Sequence, residues 1–191
     1  MVRRTSMTQG PLNFCCRVLS VGIISTLVCC ASSSWDGQVY RGGAVNFRAG
    51  RVPTGWRRLD DDNSLLTFRD ASRDLLVSVN GRCGKDGDDV PLEALTQHLF
   101  VYFTERQISD QRRITLDGRE ALRTELSAKL DGVARRFVVV VLKKNGCVYD
   151  FILIASPTLD ANAKAQFDQF VAGFSTNALS PGDPGKVQVQ P

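Results

Sequence analysis

Residues 111–155 read QRRITLDGREALRTELSAKLDGVARRFVVVVLKKNGCVYDFILIA, and this stretch decides the fold. It carries Asp117-Gly118, Asp131-Gly132 and Asn145-Gly146, spaced 14 residues apart. Each dipeptide suits a type I′ turn, which needs positive φ at both central residues and joins two antiparallel strands. The segments between them are therefore consecutive strands of a meander, with Gln111 to Leu116 as the first. Two-residue turns also fix the register, so the faces follow. Phe137, Val139 and Val141 share one face with Leu122, Thr124, Leu126, Ile152 and Ile154. Val138, Val140 and Leu142 share the other with Tyr149, Phe151 and Leu153. The last two strands are apolar on both sides, and a sheet centre of that kind has to be covered twice.

Two segments can supply the cover. Pro91 to Gln107 opens with Pro in the first turn and repeats Leu92, Leu95, Leu99, Tyr102 and Phe103 at helical spacing. A second helix runs from Asp160, a good N-cap, to Phe174, with Ala163, Phe167, Phe170, Val171 and Phe174 as its buried stripe. Upstream, Ser64 to Phe68 and Leu75 to Asn80 read as a hairpin around Asp70 to Arg73, preceded by short strands at Val45 to Phe47 and Trp56 to Leu59. The expected fold is α+β: an antiparallel β-meander sheet covered by helices on both faces.

The ends of the chain read differently. Residues 18–28 (VLSVGIISTLV) form an apolar run of 11 behind three arginines, Arg3, Arg4 and Arg17. That is the length of a signal-peptide core and far short of the roughly 20 residues a spanning helix needs. The run ends in Leu27-Val28-Cys29-Cys30-Ala31, which resembles the bacterial lipobox. The resemblance implies that the Cys30 thiol receives a diacylglyceryl group before cleavage. Two alternatives stay open: Cys29 as acceptor, which puts the bulky Val28 directly before it, and plain cleavage after Ala31. The organisation expected is a signal peptide over 1–29, a polar tether over 30–44, one domain over 45–175 and a disordered tail over 176–191. The chain carries 24 Lys+Arg against 20 Asp+Glu, but without the three N-terminal arginines the balance is 21 against 20. The near-neutral remainder argues against nucleic acid as a partner.

The order of elements, Phe47 with Pro53-x-Gly55-Trp56, the first helix, Gly118-Arg119-Glu120-Ala121 and Phe170-Val171-Ala172-Gly173-Phe174 together carry a likeness. In these features the chain resembles the PsbP-like domain, also found in bacterial lipoproteins and the DcrB-type periplasmic proteins. The resemblance spans residues 45–175 and implies an α/β/α sandwich. It further implies a non-catalytic protein that docks onto or assists a larger assembly, and it carries over no catalytic residue.

The residues themselves point the same way. His98 is the only histidine and lies within a helical stripe, and no G-x-S-x-G, H-E-x-x-H or P-loop pattern occurs. Zinc would have to use two distant cysteines with that one histidine, against the paired spacing such sites use. Asp86, Asp88 and Asp89 cluster in the Gly81 to Val90 loop, which lacks the calcium-loop frame and its distal Glu. No catalytic residue, metal or cofactor is expected. Arg112, Arg123 and Glu125 converge on one face as a cross-strand charge cluster, a candidate patch for a headgroup or an acidic partner. Cys83 and Cys147 are the cysteines left after processing at Cys30. In an oxidising compartment, and each at a strand end, they are expected to form a disulfide, against the alternative of two separate buried thiols.

The leading functional expectation is a non-catalytic, lipid-anchored protein of the bacterial cell envelope facing the periplasm. Its partners would be the membrane, through the anchor, and an envelope protein. The alternative is a lipid- or small-ligand-binding subunit of an envelope transporter. That reading needs a cavity of about 300 Å³ or more lined by Phe100, Phe103, Phe167 and Phe170. An enzyme would need paired carboxylates with strongly shifted pKa values in a cleft.

Overall fold

A computed structural model of the chain describes residues 33–84 and 89–176. The signal peptide, Cys29, Cys30, Asp86, Asp88 and the tail beyond Thr176 lie outside the described residues. In chain order the elements are β1 (Ser34–Trp35), β2 (Val39–Gly42), β3 (Val45–Arg48), β4 (Arg57–Leu59), β5 (Leu66–Asp70) and β6 (Leu75–Cys83). Then follow α1 (Leu92–His98), β7 (Thr104–Leu116), β8 (Arg119–Leu130), β9 (Val133–Lys144), β10 (Cys147–Ala155) and α2 (Ala161–Ala172). One antiparallel sheet of seven strands has the order β4-β5-β6-β10-β9-β8-β7, and a second of three has β1-β2-β3. The fold is α+β, mostly antiparallel sheet with two helices.

The meander forms on its turns. Asp117, Asp131 and Asn145 have φ between 49° and 54°, and the glycines after them lie between 71° and 79°. Leu126 pairs with Phe137, and Val139 with Ile152, in the register that two-residue loops impose. Neighbouring residues of β9 separate into two buried clusters accordingly. Phe137, Val139 and Val141 cluster with Leu122, Leu126 and with Leu92 and Leu95 of α1. Val138, Val140 and Leu142 cluster with Phe151, Leu153 and with Phe167, Phe170 and Val171 of α2. Asp160 caps α2 as its sequence implied, its side chain accepting from the Ala163 N–H at 2.7 Å.

Three expectations change. The helix expected over 91–107 stops at His98, and the strand expected from Gln111 to Leu116 begins earlier, at Thr104, as an edge strand. Its residues face water on most positions, so no period of two is visible in TERQISDQRR. Phe100 and Phe103 mimic a helical stripe because a tight turn joins them, the Phe103 N–H donating to the Phe100 carbonyl. Both rings then reach Phe137, while Tyr102 between them is 90% exposed. The tether expected over 30–44 contains β1 and β2, because Val39 and Tyr40 are buried and Tyr40 stacks on Phe47 at 5.3 Å. At the other end Thr176, placed in the tail, is held by Asp117, which accepts from its N–H at 2.9 Å.

Close approach at two glycines ties the ends of the domain together. The Arg48 and Ser175 backbones bond reciprocally at 2.8 and 3.0 Å, and the Gly50 N–H donates to the Phe170 carbonyl. A Cβ on Gly173 would lie 2.3 Å from the Gly50 Cα, so no side chain fits there.

The pairing of β10 with β6 joins the meander to the upstream hairpin. At the end of that ladder Cys147 stands directly opposite Cys83, and the two form a disulfide. The bond closes a loop with a sequence separation of 64. Restricting an unfolded chain over that length is worth about 4 kcal/mol in the entropic model. Replacing both cysteines by serine should lower stability by that order, measured by chemical denaturation against the oxidised wild type. A difference under about 1 kcal/mol would show that the bond adds little restriction to the unfolded chain.

Candidate functional site

The expected charge cluster is assembled by β8 and closed by α2. Arg123 stands opposite Arg112 and on the face of Val140. Its guanidinium is only 3% exposed and donates to both oxygens of Asp168, from Nε at 3.0 Å and Nη2 at 3.1 Å. It also donates to Glu125 at 2.6 Å, and Lys164 lies 3.3 Å from the same carboxylate. Burial raises the Glu125 pKa, but the hydrogen bond and charge of Arg123 outweigh it and hold the carboxyl below its ordinary value. Arg112 is exposed and bonds to Asp110. The three residues are therefore together as expected, yet Arg123 is already bound on two sides by carboxylates. Lys164 and Asp168 belong to the same network and were not anticipated. Their only signal was the spacing of four residues along the polar side of α2.

A second buried charge was also unmarked in the sequence. Asp150 sits mid-strand in β10, 1% exposed, accepting from Asn80 at 2.9 Å and Arg82 at 3.3 Å. Burial pushes its carboxyl above the ordinary range, against the pull of those two donors. One shifted carboxyl without a second beside it does not make an acid–base pair. His98 is exposed at the end of α1. Among the described residues no group of three or more His, Cys, Asp or Glu could hold a metal ion.

Of the four phenylalanines that a ligand cavity would require, three pack against other rings and the fourth is buried. Phe100 lies 5.6 Å and Phe103 5.0 Å from Phe137, Phe170 lies 5.7 Å from Phe68, and Phe167 is buried. The clefts are on the surface. One of about 530 Å³ lies among Asp61, Asp62, Ser64, Asn80 and Arg82, and another of about 450 Å³ lies beside Arg57, Leu59 and Arg69.

No protein-family model matches the sequence, and no curated protein is similar to it. Solved structures are similar in fold. The solution structure of cyanobacterial PsbP (CyanoP) from Synechocystis superposes with a TM-score of 0.52 at 16% identity, covering 82% of this chain and 98% of that one. The chain has a PsbP-like fold. The crystal structure of LpqN, involved in cell envelope biogenesis of Mycobacterium tuberculosis, superposes with a TM-score of 0.50 at 16% identity. That match covers 71% of this chain and 86% of LpqN. At such identities a PsbP-like fold is shared and individual residues are not compared.

Two predictions follow from the buried charges. Arg123→Ala removes the buried guanidinium that bridges Glu125 and Asp168, leaves Lys164 as the cation on Glu125, and should lower stability by about 2 kcal/mol, read by denaturant titration. Asp150→Asn should raise stability at pH 8. A carboxyl whose pKa is raised by folding favours the native state fully only below its unfolded pKa and less as pH rises through the folded value. The gain should therefore shrink on acidification, and melting curves from pH 8 to pH 4 check it. A variant less stable than wild type at pH 8 would mean that the Asn80 and Arg82 bonds outweigh burial.

Proposed function

We propose that this chain is a lipid-anchored protein of the bacterial cell envelope, facing the periplasm, that serves a larger envelope assembly without catalysing a reaction. The observation that carries the reading is a PsbP-like fold downstream of Leu27-Val28-Cys29-Cys30. The shared fold with LpqN, a protein involved in cell envelope biogenesis, supports the compartment. No helix among the described residues is long and apolar enough to cross a membrane, which is compatible with an anchor made of lipid. The filled aromatic core favours an accessory module over the ligand-carrying transporter subunit. The reading includes the signal peptide over 1–29, lipid on Cys30, and a partner protein in the envelope. It also takes the two buried clusters as two layers, with α1 on one face of the large sheet and α2 on the other. Within the Arg112, Arg123 and Glu125 patch, Arg123 and Glu125 are assigned to holding α2 down on β8, with Arg112 paired to Asp110 beside them.

Lipid attachment is the step to test. Cells expressing the wild-type chain in labelled palmitate should incorporate label into it, and Cys30→Ser should abolish the label and release the protein from the membrane fraction or leave it as precursor. An unlabelled protein with a mature N-terminus at Ser32 would overturn the anchor.

A further inference from the structure

The cations of this chain are unevenly partnered. Arg73, Arg82, Arg112, Arg113, Arg123 and Arg135 each hold a carboxylate. Arg57 on β4 and Arg69 on β5 hold none among the described residues, yet the ladder places them directly opposite each other. Like charges in that position are destabilising, so the pair does nothing for the fold. Asp70, the nearest acid along β5, is buried and turned to Ser72 and Arg73. Both arginines are exposed and line the open cleft of about 450 Å³ with Leu59 and Ala71, and the Asp70 carboxylate at its margin is taken up by Ser72 and Arg73.

The row that continues from them on the same face is apolar, with Thr67 and Ser78 beside it turned to Asp61 and Ser64. Following the pairing across the sheet from Arg57 gives Arg69, Leu76, Ile154 and Phe137 in one row. Leu76 and Ile154 are only half-buried, and Ile154 packs with its inner side against the cluster that contains Leu92 and Leu95. Phe137 is covered by Phe100 and Phe103. Strands are spaced by about 4.8 Å, so an apolar path of roughly 10 Å leads from Arg69 past Leu76 to Ile154. Leu59, 38% exposed, flanks the row on β4. Two guanidinium forks side by side match the tetrahedral oxygens of a phosphoryl group.

We propose that Arg57 and Arg69 form the head-group site of a surface that binds a phosphorylated amphiphile, its apolar part lying along Leu76 and Ile154. This goes beyond the accessory role and does not depend on lipid attachment at Cys30. The site lies on the sheet surface, apart from the internal cavity that a carrier would need.

Calorimetric titration of the purified full chain with dihexanoylphosphatidylglycerol below its micelle concentration, and separately with inorganic phosphate, tests it. The lipid should bind, at least tenfold more tightly than phosphate, and more weakly as salt is raised. Arg57→Gln with Arg69→Gln should weaken lipid binding at least tenfold, and Leu76→Ser severalfold. The double arginine variant should melt at or above the wild-type temperature, because a like-charge pair is relieved. Equal binding by wild type and double variant, or no lipid binding at all, overturns the proposal. Phosphate binding as tightly as the lipid makes this a site for the free anion and overturns the apolar half. A double variant that melts well below wild type makes the arginines structural and overturns it as well.

Discussion

Strands β9 and β10 have no polar face along most of their length, and this one condition organises the molecule. A strand apolar on both sides is stable only inside a sheet, with neighbours on both edges and cover above and below. The edges of β10 are met by β9 and β6. Its side chains are divided between two buried clusters, to which α1, α2 and the upstream Phe47, Trp56 and Phe68 contribute. The small β1-β2-β3 sheet thus contributes to the core through Phe47, Tyr40 and Val45. The charged groups fall in with this scheme. Arg123 is almost wholly buried on the meander and is held by Glu125 and Asp168, and the buried Lys144 is held by Asp117.

Much of this was legible because local chemistry and global fold agree. Asp-Gly and Asn-Gly turns dictate both pairing and register, so the faces of β8, β9 and β10 followed from residues two apart. Asp160 announced α2 by the same local logic. The first half of β7, Thr104 to Asp110, was hidden because an edge strand exposed on most positions keeps no apolar alternation, and because Leu99, Tyr102 and Phe103 continue a helical spacing through a turn. The strands β1 and β2 were hidden by their polar, glycine-containing sequence; only Val39 and Tyr40 mark them.

The charge cluster was legible as a set of strand neighbours and no further. Arg112, Arg123 and Glu125 could be placed on one face by counting from a turn. That Asp168, 45 residues downstream, would close over Arg123 depends on how α2 lies on β8, which no spacing encodes. The disulfide was legible by elimination of the other cysteines, but the adjacency of β6 and β10 that permits it was a long-range fact. Arg57 and Arg69 show the same limit. Twelve residues apart in sequence they are unremarked, and the ladder makes them a doubly charged pair.

The contact between Gly50 and Gly173, with the reciprocal bonds of Arg48 and Ser175, sets when the chain can finish folding. Residues near the start of the domain wait for the last helix, so the loop that must close is almost the whole domain, and such long-range closure is slow relative to local turns. The three tight turns can organise the meander as soon as Ala155 is available. Trp56 and Phe68 remain without Phe170, and Phe47 without Phe174, until α2 arrives. A chain threaded across a membrane from its N-terminus would thus hold an unfinished aromatic surface on the far side, and truncation by a few residues at Gly173 would leave it open.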